Sequence, residues 1–252
     1  MTTLLLPYAA WRRNRVWLIG LLRVSMVLVP SHRSSKEGTA VLLHHAATPG
    51  LGGMLKDYLR VALGTRVLLQ TVAAIILQQP PLAVLLQQCI ISAMVSNTSG
   101  YCACPLLDNP LAAQRLAWLS RGLDAVPLFT VPFTSAAMLH RQGNPRCICM
   151  ALLYMHQVVV GVLIPTVLAA YTSSALEEPA TPQHRQRQQQ QPVWGQLCGL
   201  ASRAEELWQH ANSMVQEVCT GAGMPGVQLA LAAWLLAGNL WMIAVAMAER
   251  DA

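Results

Sequence analysis

ICMALLYMHQVVVGVLIPTVLAAYT, residues 148–172, carries no charged side chain from end to end. A second stretch, VQLALAAWLLAGNLWMIAVAMA at 227–248, reads the same way. Each matches the roughly 20 apolar residues that a helix needs to cross a bilayer. In hydrocarbon the backbone N–H and C=O groups must be satisfied inside the segment, which a helix achieves. The chain is therefore read as an integral, multi-pass membrane protein. Its fold class is all-α: a small polytopic bundle of about four spans, with peripheral amphipathic helices and a disordered glutamine-rich loop.

Composition agrees. Of 252 residues, 54% are hydrophobic and 11% are charged, against about 25% charged in an average soluble protein. The formal charge is +6, but the basic residues flank apolar runs and form no stripe with interleaved aromatics. That placement argues for a lipid bilayer as partner, together with other membrane proteins, and against nucleic acid.

Four regions follow. Residues 1–66 form a basic N-terminal segment with a loop and a short helix at Met54–Gly64, whose polar side would hold Lys56, Asp57 and Arg60. Trp11-Arg12-Arg13-Asn14-Arg15 precedes an apolar stretch, Val16–Val29, broken by Arg23. An interfacial amphipathic segment or an organellar targeting segment fits this pattern better than a cleaved signal peptide or a true first span. Residues 67–172 form the membrane region, with about three spans. The first, 67–95, is uncharged but interrupted by Gln78-Gln79-Pro80-Pro81. Tandem proline removes two donors, so one kinked crossing is expected, with two re-entrant half-helices as the alternative. Asn109-Pro110 opens a short surface helix at 111–121, closed by Gly122. A short crossing at 125–140 leads through HRQGNPRC into 148–172.

Residues 173–199 contain the low-complexity linker, whose glutamines have no apolar face to bury. Residues 200–252 add an amphipathic helix at 200–219, with a capping-box pattern at Ser202 and Glu205, and the final span. Leu207, Trp208, Ala211 and Val215 are expected to face inward. Arg141 and Arg146 place the 140–147 turn on the inner side by the positive-inside rule. Twelve of the seventeen basic residues then fall inside. This threading separates the pairs Cys102/Cys104 and Cys147/Cys149, whose spacing by one residue is unusual for zinc.

No HExxH, GxSxG or P-loop occurs, and the spans hold no Asp or Glu, so no catalytic set, metal site or cofactor site can be assembled and the protein is read as a non-enzyme. The candidate functional residues are the polar groups inside the spans: His156, Gln157, Asn239, Gln87 and Gln88. Such groups are costly in hydrocarbon and usually face a bundle interior. The leading expectation is a protein that binds or scaffolds other membrane components. The alternative is a small transporter or channel subunit with a polar path near His156, Asn239 and Gln87.

Overall fold

The computed structural model describes residues 8–28, 41–128, 144–176, 197–221 and 226–251. Among these residues every regular element is helical. The elements are α1 (Tyr8–Leu28), α2 (Gly50–Gly64), α3 (Val67–Ile76), α4 (Pro81–Val95), α5 (Thr98–Cys102) and α6 (Pro110–Leu128). They continue with α7 (Pro145–His156), a π-helical turn (Gln157–Leu163), α8 (Ile164–Leu176), α9 (Leu197–Thr220) and α10 (Gly226–Asp251). The glutamine-rich linker and most of the crossing expected at 125–140 lie outside the described residues.

Among the described residues two helices are long and apolar enough to cross a membrane, Pro145–Ser173 and Ala230–Asp251. A third candidate is the pair α2 and α3, bent through 73°. Arg66 makes that joint with left-handed backbone, φ +62°.

The expected kinked span at 67–95 is replaced by a helical hairpin. Gln70 Nε2 donates to the Gln88 carbonyl at 3.1 Å, and Gln88 Nε2 donates back to the Gln70 carbonyl at 3.3 Å. One turn further along, Ala74 packs with Val84. Paired residues thus step symmetrically away from position 79, as they do between antiparallel helices. The reason is at the apex. Pro80 and Pro81 cannot continue α3, but Pro81 suits the first turn of α4, where its missing N–H would have had no intrahelical partner. At 10 and 15 residues, the two helices are about 15 and 22 Å long.

This hairpin packs on the π turn and α8, while α1 lies against its other side. α9 covers α8 and α4, and α10 packs on α6 and α7. The main core cluster joins Met150, Leu153, Trp241, Val245 and Ala248 around a disulfide, Cys102–Cys149. That bond links one cysteine from each pair the expected threading sets on opposite sides.

Local sequence explains several helix ends. The Asn109 side chain accepts from Leu111 N at 2.9 Å, and that of Asn144 from Arg146 N at 3.1 Å, each with proline at the first helical position. Gly122 does not close α6, which runs on to Leu128. α9 starts at Leu197, so Ser202 lies inside the helix and not at its first turn. Its end is marked by Gly221 at φ +61°, left-handed backbone that suits glycine.

Candidate functional site

The polar side chains at depth sort into two networks. The first surrounds the π turn. Ile164 N donates to the Val159 carbonyl, in π register. The next N–H along would serve Val160 in that register or Gly161 in α register, but residue 165 is proline and has none. The hairpin supplies the missing donors. Thr71 Oγ1 donates to the Val160 carbonyl at 2.7 Å, and Gln70 Nε2 reaches the Gly161 carbonyl at 3.3 Å. Gln70 also lies 2.9 Å from Ser92 Oγ. Its two N–H groups are thus shared among Gly161, Gln88 and Ser92. A Cβ at residue 161 would sit 3.4 Å from Gln70 Oε1, an ordinary van der Waals contact.

The second network is at the hairpin apex. Arg23 is 1% exposed. Its Nη1 donates to Gln79 Oε1 at 3.0 Å and to Gln87 Oε1 at 3.4 Å, and its Nη2 donates to the Ala74 carbonyl at 2.9 Å. That carbonyl belongs to the last turn of α3, the negative end of the helix, where a cation is favoured. Gln79 Nε2 in turn donates to the Val16 carbonyl at 2.7 Å. Arg23, read from sequence as a break in an apolar run, joins α1 to the hairpin together with the Gln79–Val16 bond.

The expected cluster of His156, Gln157, Asn239, Gln87 and Gln88 is only partly assembled. Gln88 and Gln157 are buried where the hairpin meets the π turn. Gln87 belongs to the Arg23 network. His156 packs edge-on against Tyr58, ring centroids 5.4 Å apart, and its Nε2 is buried without a hydrogen-bond partner among the described residues. The polar partners expected for it do not meet it: Gln88 donates through Nε2 to the Gln70 carbonyl, its buried Oε1 has no hydrogen-bond partner among the described residues, and Asn239 faces outward. Asn239 is exposed and donates to the Leu235 carbonyl of its own helix at 2.8 Å.

His156 and Tyr58 line an apolar pocket of about 350 Å³ between α2, α6 and α7, whose polar edge is Asp57 with Arg115. Asp57 is not on a solvated helix face, as its spacing with Lys56 and Arg60 suggests. It is buried, accepting from Thr48 N at 2.8 Å, Arg115 Nη1 at 3.1 Å and Arg60 Nη1 at 3.4 Å. This ties the 48–53 turn to α6. Among the described residues no cluster of three His, Cys, Asp or Glu side chains could hold a metal ion.

Gln70, Thr71, Ser92 and Arg23 escaped the sequence reading. One signal could have found the first two: Pro165 leaves carbonyls orphaned in an apolar span, and some other segment must supply donors.

No protein-family pattern, characterised protein or solved structure matches the chain.

Proposed function

We propose that this chain is a multi-pass integral membrane protein, not an enzyme, that binds or scaffolds other membrane components. The observation that carries the reading is the use made of its deep polar groups. Gln70, Thr71, Ser92 and the Gln88 amide nitrogen make hydrogen bonds from helix to helix, leaving Gln88 Oε1 unpartnered among the described residues, and Gln79 and Gln87 accept from Arg23. A transport path would need such groups turned toward a shared water-filled wall. His156, Asn239 and Gln87 instead occupy three separate surroundings.

The test is water access in intact membranes. Cysteine placed at Gln88 and, separately, at His156 should react with a membrane-impermeant thiol reagent no faster than the parent protein with its native cysteines. Rapid labelling of either position from one side, blocked by prior treatment with a permeant reagent, would establish a hydrated path and sink the scaffold reading in favour of the transporter.

A further inference from the structure

The outer face of α10 presents a seam that the described residues leave open. Of its most apolar 18-residue window 22% is buried, against 44% for Pro145–Ser173. Every residue from Ala230 to Leu236 is exposed. Within the helix, Gly238, Trp241, Ala244, Val245 and Ala248 are buried. The opposite side carries Ala232, Leu236, Asn239, Ile243 and Ala246, all exposed. Their spacings alternate four, three, four, three. That is the heptad rhythm by which two helices pack in a left-handed crossing.

Asn239 sits at the centre of the seam. A carboxamide has two N–H donors and one acceptor oxygen. One N–H is used on the Leu235 carbonyl. The second N–H and Oδ1 have no partner among the described residues. In hydrocarbon an unmet amide costs a few kcal/mol, so apolar lipid is a poor occupant of this face.

We propose that the occupant is a second copy of this chain, joined by parallel packing of α10 on α10 with Asn239 paired to Asn239 across a two-fold axis. The symmetry argues for a copy over a different protein. Two copies threaded the same way in one membrane bring α10 helices together in parallel, and an axis along the membrane normal sets each residue opposite itself. Asn239 therefore meets a carboxamide at its own depth, and the two can exchange N–H···O bonds reciprocally. A single asparagine in an otherwise apolar seam fixes register and pairing number in coiled coils. The inference rests on the scaffold reading, since it names one of the membrane components bound.

Full-length protein in its membrane provides the test. Single cysteines replace Leu236 and Ile243 on the seam and Leu231 on the flank, and each variant is oxidised beside the parent as baseline for the native thiols. Disulfide-linked dimers should form at 236 and 243 and stay at the parent level at 231. Two differently tagged copies should co-purify in mild detergent. Asn239→Leu should weaken that co-purification on the order of three- to tenfold, and Asn239→Gln should retain most of it. A membrane-embedded monomer, equal crosslinking at seam and flank, or dimers indifferent to Asn239→Leu would each overturn the proposal. Any of these results leaves the scaffold reading standing if Gln88→Cys and His156→Cys stay protected, so the two can fail separately.

Discussion

Proline 165 sets the hydrogen-bond problem that the neighbouring hairpin solves. Its missing N–H takes a donor from Val160 or Gly161, according to register, inside a charge-free helix, and Thr71 and Gln70 reach those carbonyls. An orphaned buried carbonyl costs about 1–3 kcal/mol, so Thr71→Val should destabilise the folded protein by roughly that amount in a detergent unfolding titration. The cause can be isolated. Pro165→Ala restores an N–H that reaches Val160 in π register. In that background Thr71→Val should cost less, by at least about 0.5 kcal/mol, the coupling expected of residues that share one acceptor. Strictly additive losses would show that Thr71 acts through packing alone. At this scale the sequence was only half legible. The presence of polar residues within apolar runs could be read directly, and so could the need to bury them. Which donor meets which acceptor could not, because the partners lie about ninety positions apart and depend on the hairpin's register.

Helices are where the reading from sequence did best and where its errors are most instructive. Asn109-Pro110 and the short helix ending at Gly64 follow from local chemistry and appear in the structure. The 67–95 segment was weighed correctly as kinked or doubled back, and the choice went wrong because proline chemistry specifies a break without specifying its angle. Arg23 and Gln87, fixed near the apex, help hold the doubled-back form. Gly20 permits that contact: a Cβ there would lie 2.6 Å from Gln87 Nε2. Gly20→Ala should therefore displace Gln87 from Arg23 and lower stability by about 1 kcal/mol, as mild overpacking does; an unchanged unfolding midpoint would remove Gln87 from the account. α9 was expected to turn Leu207, Trp208, Ala211 and Val215 inward. Trp208, Ala211 and Val215 are partly buried, whereas Leu207 is 69% exposed. Asn212 sits on the inward face instead, and its Oδ1 accepts from Leu82 N at 3.1 Å, satisfying a donor in the first turn of α4. Asn212→Ala removes that cap, a loss of about 1 kcal/mol. It should loosen α9 and speed protease cleavage between residues 177 and 225. Cleavage at the parent rate would mean that α9 is held by its apolar contacts alone.

For the molecule as a whole, the cystine constrains threading more than the arginines do. Arg141 and Arg146 argue that the turn before α7 faces the inner compartment. A crossing at 125–140 would then put Cys102 on the other side of the membrane from Cys149. Yet the two sulfurs are bonded, which brings Cys102 and Cys149 together and conflicts with that separation. α6 carries Arg115, Arg121 and Asp124 along that stretch, and Asp124 is occupied in accepting from Trp241 Nε1 at 2.8 Å. It packs on α7 and α10 within the bundle. Among the described residues, α7 through α8 and α10 are the two helices long and apolar enough to cross, and the bent pair α2 and α3 is a third candidate. The bond also speaks to compartment, because such bonds persist where the environment is oxidising. The end of the molecule holding Cys102 and Arg146 should therefore face the oxidising side, against the sign of its local charge. Cysteines introduced at Asp108 and at Asn144 should label from the same side of sealed vesicles. On a non-reducing gel the parent should run ahead of Cys102→Ala, with the difference erased by reductant. Labelling of the two positions from opposite faces would restore the crossing at 125–140 and exclude the Cys102–Cys149 bond from the native membrane form.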